Sequence, residues 1–432
     1  MLIVEVYIII MQQNLWQYLS IRILIGWLLV SITPALLLFW SFIVTDNILI
    51  TQVNSVIVSS SAIVFSLIGL ERLTQFPGQK SMVTVLPTLL ASGLLAGLIL
   101  LIFRLPYSVY YLLFSAVLGV VFCFISQVVL RAVTQVKIGY VPIGRYQSLL
   151  DIKNVTWVKL SKDFQSVSHQ HLPFHAIVAD LSDHNLCSGW EQVLAESALQ
   201  GTPVYNILQV NESLTGRLPI KHLYENNLGS LLPSPSYLLI KRLMDTIIVL
   251  LSMPVTVPLA ILVGIAIKWE SRHSKSTVLF KQHRIGQGSK LFTMYKFRSM
   301  LPDSEQNGAQ MATSVDVRVT KFGSFIRKTR LDELPQFINV LKGEMSLIGP
   351  RPEQLDFVRQ FNETIPFYRY RHIVKPGISG WAQVMQGYAS DEDETKLKLE
   401  YDFFYIKNFS LTLDLLIVIK TIQTMITGFG AR

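Results

Sequence analysis

Asp332 and Glu333 are the residues whose types and setting could do chemistry: an acidic doublet inside a strongly basic stretch. From Lys281 to Arg351 there are twelve Lys or Arg residues against six Asp or Glu. They cluster as Lys281-Gln-His-Arg284-Ile-Gly286, Tyr295-Lys296-Phe297-Arg298-Ser299-Met300, Arg327-Lys-Thr-Arg330 and Gly349-Pro350-Arg351-Pro352. Any one cluster could be a solvated face or a headgroup contact. Four, separated by turn residues and interleaved with aromatics, suit a diphosphate, to which Arg offers a planar fork and Lys a point charge. A carboxylate that attacks phosphorus forms an acyl phosphate, which keeps most of an anhydride's transfer potential for a second acceptor. Two anions must then meet, so Mg²⁺ (or Mn²⁺) and nearby cations are needed to offset their repulsion. The competing reading is structural. Phe337–Leu341, ending at Lys342-Gly343, reads as a helix with a glycine stop, so Asp332 could be an N-cap and Glu333 a first-turn acid.

Two further motifs invite the same weighing. Asp391-Glu392-Asp393 matches a metal-binding DxD literally, but it sits in an acidic helical run where a solvated face is the better reading. Lys375-Pro-Gly377-Ile-Ser-Gly380-Trp381-Ala-Gln383-Val-Met-Gln386-Gly387 is a glycine-punctuated loop that could shape a nucleoside or sugar pocket, or be a plain turn.

The elements that must position these residues begin in lipid. The chain is 50% apolar and only 16% charged, against about 25% charged in soluble domains. Four uncharged runs, Ile23–Val44, Val53–Leu70, Met82–Phe103 and Tyr107–Leu130, are each close to the roughly 20 residues a bilayer helix needs. Arg22, Arg72, Lys80, Arg131 and Lys137 flank them on one side and Arg104 alone on the other, which puts the N-terminus and everything after Leu130 in the cytoplasm. A fifth run, Thr246–Ile267, has Lys241 and Arg242 before it and Lys268 and Arg272 after it, so both ends carry the cytoplasmic signature. Pro254 and Pro258 lie at its middle, and Ser252 could satisfy a freed carbonyl. A helix–break–helix that enters one leaflet and returns fits both facts; a proline-kinked true span is the alternative. The middle region, 138–232, alternates short apolar runs (Thr156–Leu160, Ala176–Leu181, Pro203–Leu208) with a helical pattern at Trp190–Leu199, a small α/β unit without a GxGxxG or phosphate loop. Its bland reading is a scaffold or regulatory domain. Pro233-Ser-Pro235 reads as the boundary after it. The two cysteines, Cys123 and Cys187, imply no disulfide framework.

The C-terminal 200 residues resemble the bacterial sugar transferases, the monotopic polyprenyl-phosphate hexose-1-phosphate transferases. The matching elements run in family order: Lys241-Arg-Leu-Met-Asp245 before a Pro-broken membrane segment, Tyr295-Lys-Phe-Arg-Ser-Met300, Leu331-Asp-Glu-Leu-Pro-Gln336 and Leu341-Lys-Gly-Glu-Met-Ser346. Gly349-Pro-Arg-Pro352, Lys375-Pro-Gly-Ile-Ser-Gly-Trp-Ala-Gln383 and Tyr401-Asp-Phe-Phe-Tyr405 continue it. The first 230 residues match the family's long form, which starts exopolysaccharide or O-antigen assembly, by layout more than by motif. The resemblance implies a membrane protein in three parts: a four-helix transmembrane bundle (1–137), a small cytoplasmic α/β, Rossmann-like domain (138–232), and a mainly helical catalytic domain (233–432) with a re-entrant helix at about 238–268.

The resemblance also implies a ping-pong reaction at the bacterial inner membrane. Asp332 would attack the sugar-linked phosphate of a UDP-sugar, release UMP and pass the phosphosugar to polyprenyl (undecaprenyl) phosphate; it is also the expected Mg²⁺ contact. Glu333 would assist by metal positioning or proton handling. Lys296, Arg327 and Arg351, with Arg298, match family positions near the phosphates. Ser252 and Pro254 match the family's Ser-Pro break imperfectly, because Met253 intervenes. Membrane lipid is an implied partner, nucleic acid is not, and a homodimer is a possible assembly. Two other readings stand beside this one: a membrane glycosyltransferase that releases UDP, and a non-catalytic scaffold of polysaccharide assembly.

Overall fold

The computed structural model describes residues 18–39, 46–74, 84–133, 137–152, 155–161, 176–220, 232–271, 277–300, 318–387 and 391–427. The chain divides into two compact units, Met1–Thr215 and Gly216–Arg432.

The first unit opens with apolar helices: α1 (Leu19–Trp27), α2 (Thr33–Phe39), α3 (Asp46–Thr74), α4 (Val85–Ile102) and α5 (Val109–Val133). A π turn, Leu28–Ile32, joins α1 to α2. Its cause is local. Pro34 lacks the N–H that a regular helix would aim at the Val30 carbonyl. In lipid that carbonyl needs a donor from the protein, and Ser115 Oγ on α5 supplies it at 2.8 Å. Tyr111 Oη donates in the same way to Ser31 O at 2.7 Å. Val30, Ile63, Leu67, Leu70, Phe122 and Cys123 pack between the helices. Leu94, Leu95, Leu98 and Ile99 of α4 face outward. Arg22, read from sequence as a flanking charge, is fully buried within α1 and donates to Glu71 of α3 at 2.5 Å. Residues 40–44 of the first expected span, and Met82 and Val83 of the third, lie outside the described residues.

A four-stranded parallel sheet follows, from β1 (Lys137–Tyr140), β2 (Thr156–Lys159), β3 (Ala176–Ala179) and β4 (Val204–Asn206), in the order β2-β1-β3-β4. Parallel sheets need both faces covered. Ile177 and Ala179 point to Trp190, Val193 and Leu194 of α6 (Ser188–Leu199), while Val178 points to Ile207 and Val210 of α7 (Ile207–Thr215). The expected strands are present; Ile207 and Leu208, expected in the last one, open α7 instead.

In the second unit a single helix, α8, runs from Pro235 to Glu270, with Ser234 as N-cap and helical conformation continuing through Pro254 and Pro258. Ser252 Oγ donates to Val249 O at 2.8 Å, the local use of that hydroxyl. One stripe of α8 is buried: Lys241, Asp245, Val249, Val263 and Ile267. Leu250, Leu251, Val255, Ile261, Leu262 and Ile265 are exposed, an apolar surface that water does not favour. By length and composition, five helices among the described residues could cross a membrane, and α8 is the fifth.

The remaining elements dock on the buried stripe. Strands β5 (Leu279–Ile285) and β6 (Leu291–Phe297) form an antiparallel hairpin pairing Phe280 with Lys296. Phe292 and Met294 of β6 pack with Val249, and Phe297 with Val263 and Ile267. Helices α9 (Lys321–Lys328) and α10 (Gln336–Lys342) close these cores through Ile326 and Val340. Strands β7 (Ser346–Ile348) and β8 (Gly377–Ser379) pair in parallel; α11 (Leu355–Thr364) lies between them in sequence. Helices α12 (Trp381–Met385), α13 (Glu392–Lys407) and α14 (Leu411–Thr427) complete the unit. Trp381 is buried, stacks on Phe404 and donates Nε1–H to Gly216 O at 2.9 Å.

Candidate active site

Asp332 and Glu333 lie in a single 3-10 turn, Leu331–Glu333, between α9 and α10. Helix α10 starts at Gln336 with Pro335 before it, so Asp332 caps no helix. The N-cap reading therefore fails, whereas the expected stop is present: Gly343 takes φ +82°, the left-handed conformation glycine adopts freely. The turn is set up by Arg330, a non-glycine residue at φ +56° that reverses the chain after α9. Such a backbone costs about 1 kcal/mol or more and is concentrated at functional sites.

Three cations surround Glu333. Arg351 Nη2 donates to its Oε1 at 2.7 Å, Lys296 Nζ stands 3.9 Å from the same oxygen, and Arg330 Nη1 stands 3.7 Å from Oε2. Lys296 comes from β6, which Asn339 of α10 ties down: its Oδ1 accepts from Tyr295 N, and its Nδ2 donates to Thr293 O. Burial alone would raise the Glu333 carboxyl, but Arg351, Lys296 and Arg330 hold it well below the usual range. It is an ionised, neutralised group. Asp332 is different. It is buried to 8% exposure, and among the described residues no donor hydrogen-bonds its carboxylate. Burial first, then the neighbouring Glu333 charge, push it up to about 6, against the pull of Lys296, Arg351 and Arg327. Lys296 itself is drawn down to about 8, by burial and then by Arg351.

The structure thus brings together Asp332, Glu333, Lys296, Arg327 and Arg351 and leaves Arg298 out. Arg298 donates to Ser271 Oγ and Thr277 O at 2.7 and 2.6 Å, tying the end of α8 to β5. Arg330 was visible as a basic residue, but not as a partner of Glu333; its place three residues before that acid was the available signal. Asp391-Glu392-Asp393 lies at the start of α13. Asp391 caps α13 by accepting from Glu394 N at 2.7 Å, and Lys396 pairs with Glu392 and Asp393 on an exposed face. Among the described residues no three His, Cys, Asp or Glu side chains gather as metal ligands. The glycine-punctuated loop owes two of its glycines to close packing: a Cβ on Gly377 would lie 2.1 Å from Gly349 N, and one on Gly380 2.4 Å from Gly349 O. That contact places Ile378 O where Arg351 Nη1 reaches it at 3.4 Å.

A carboxylate with no donor among the described residues, flanked by a neutralised one and ringed by Lys and Arg, suits transfer of a phosphoryl-type group. The family model described as "Bacterial sugar transferase" matches residues 236–428. An Aeromonas hydrophila protein, named UDP-N-acetylgalactosamine-undecaprenyl-phosphate N-acetylgalactosaminephosphotransferase, is 50% identical over 367 residues, 84% of this chain and 85% of that protein. The chain belongs to the bacterial sugar transferase family. Other relatives match a smaller share of the chain. A Klebsiella pneumoniae UDP-glucose:undecaprenyl-phosphate glucose-1-phosphate transferase is 37% identical over 220 residues, 50% of this chain and 46% of that protein. A Rhizobium leguminosarum exopolysaccharide production protein is 34% identical over 196 residues, 44% of this chain but 96% of its own length. The bacterial sugar transferase model match, residues 236–428, falls within the unit that carries Asp332.

Proposed function

We propose that this chain transfers N-acetylgalactosamine 1-phosphate from its UDP-sugar to undecaprenyl phosphate through a covalent intermediate on Asp332. The observation that carries this is the contrast within the acidic pair. Glu333 is neutralised by Arg351 and Lys296, while Asp332 has the same cations nearby and, among the described residues, no hydrogen-bond donor of its own. The choice of sugar follows the Aeromonas relative, which is similar along most of the chain, whereas the UDP-glucose transferases match about half of it.

In the first step an Asp332 carboxylate oxygen attacks the phosphorus that carries the sugar. A new O–P bond forms, the bond to the bridging oxygen breaks, and UMP leaves with that electron pair. In the second step an oxygen of undecaprenyl phosphate attacks the same phosphorus and the Asp332 carboxylate leaves, giving the diphosphate-linked sugar. Both nucleophiles are anions, so neither step requires a base. Arg351, Lys296 and Arg327 offset the repulsion between carboxylate and diphosphate. Glu333 holds Arg351 in place and favours the charged form of Lys296. Asp332 together with substrate phosphates and water would hold Mg²⁺, in the one-carboxylate manner that suits this ion; when bound, it supplies Lewis-acid stabilisation of phosphate charge. In this reading α8 enters and leaves the membrane on one side, its continuous helix bending near Ser252 and Pro254, and the catalytic unit faces the cytoplasm, where nucleotide sugars are made.

The test is nucleotide release by the purified chain with undecaprenyl phosphate and, in turn, UDP-N-acetylgalactosamine, UDP-N-acetylglucosamine and UDP-glucose. UMP with the first donor is expected. Release of UDP would mean ordinary glycosyl transfer, and no nucleotide product from any donor would favour a scaffold. Labelling of a Met300→Cys variant from the periplasmic side would overturn the orientation.

A further inference from the structure

Arg351 sits between two prolines, and the segment Pro350–Glu353 is anchored in an unusual way. Proline has no N–H, so this stretch can be held mainly through its carbonyls. All four are taken by separate donors. Gly377 N–H donates to Pro350 O at 2.9 Å and Ile285 N–H to Glu353 O at 3.0 Å. Arg371 Nη2 donates to Arg351 O at 2.9 Å and Arg284 Nη1 to Pro352 O at 3.1 Å. Arg371 is only 3% exposed, and its charge is met by Asp402 at 2.8 Å and Glu353 at 3.6 Å. Its Nη1 also donates to Tyr368 Oη at 2.8 Å.

We propose that Arg371 is a positioning residue for the transfer reaction: through the main chain it fixes where the Arg351 guanidinium meets Glu333 and the substrate phosphates. Arg284 does the same one residue further on. A buried ion cluster of this kind is weak as a stabilising device, because apolar side chains of similar volume often serve as well. What apolar side chains cannot do is donate to two carbonyls beside a catalytic cation. Lysine at 371 keeps the charge opposite Asp402 and Glu353, but one ammonium cannot also reach both Tyr368 Oη and the Arg351 carbonyl.

The proposal rests on the transferase reading, and a double-mutant cycle tests it on the full chain. Arg371→Lys is expected to lower kcat/KM for UMP release about tenfold or more, since misplacement by about 1 Å is that costly. In an Arg351→Ala background the same substitution is expected to cost less than about twofold, because the group it positions is gone. Equal fold-losses in both backgrounds would show a merely structural role and overturn the proposal. If Arg371→Lys gives no cooperative melting transition, Arg284→Lys takes its place in the same cycle and decides by the same criterion. Calorimetric binding of UDP-N-acetylgalactosamine separates the two claims. Binding without UMP release overturns the transferase reading, and the cycle is then read in Kd; turnover with an additive cycle overturns the positioning role alone; neither binding nor turnover overturns both.

Discussion

Replacing Glu333 with Gln changes one charge while keeping the shape, and the structure gives the sign of its effect on the pH profile. On the proposed mechanism Asp332 must be ionised to attack, and burial and the Glu333 charge hold its carboxyl up to about 6, so activity should fall on the acid side near that pH. Glu333→Gln removes the second cause. Two like charges about 4 Å apart repel by about 4 kcal/mol at an effective dielectric near 20. Most of the Glu333 field is met by Arg351 at 2.7 Å and Lys296 at 3.9 Å, so only part of that reaches Asp332. A residual of about 1.4 kcal/mol corresponds to one pH unit. The freed cations pull in the same direction. A lowered carboxyl pKa keeps Asp332 ionised further into acid, so the acid limb moves down by about one unit. The plateau also falls, because Arg351 loses the carboxylate that holds it. The assay is kcat/KM for UMP release across about pH 4.5–8. A limb that stays in place or moves upward would refute the electrostatic account of the pair.

Lys296→Met should move the same limb the other way, because removing a cation that lowers the Asp332 carboxyl raises it; a downward move in that pH profile contradicts the account. Arg298→Ala should leave kcat/KM within about twofold and lower Tm by a few degrees, since it loses hydrogen bonds of a charged group to Ser271 and Thr277 rather than a substrate contact. A tenfold loss of kcat/KM would return Arg298 to the site. Gly377→Ala places a Cβ 2.1 Å from Gly349 N and should cost about 1–3 kcal/mol in a denaturation midpoint, with a fall in UMP release as the Arg351 segment shifts.

The apolar helices were legible because the hydrocarbon core of a bilayer admits few charges and requires about 20 apolar residues in a row, a run that water-soluble domains seldom carry. The strands around Ile177 and the glycine stop at Gly343 were legible for similar reasons of period and backbone conformation. The N-cap reading of Asp332 was answerable from Pro335, which favours a helix start at or just after itself rather than three residues earlier. Arg298 lies apart from the other cations for a geometric reason. In a continuing strand it would share a face with Lys296, but β6 ends at Phe297, and the next residue turns toward α8. Arg371 was not legible at all. Its partners, Arg351 O, Glu353 and Asp402, lie 18 to 31 residues away, and no local pattern encodes ion pairs closed by tertiary packing.

The central claim is that Asp332 carries the phosphosugar between donor and acceptor, and the intact mass of the protein reads this directly. The purified chain, incubated with UDP-N-acetylgalactosamine and Mg²⁺ but no lipid acceptor, should gain one N-acetylhexosamine phosphate and release an equal amount of UMP. Peptide mapping should place it on Asp332, added undecaprenyl phosphate should discharge it, and Asp332→Asn should neither form it nor turn over. Turnover at full rate in Asp332→Asn, or an adduct mapped to a different residue, would contradict the account.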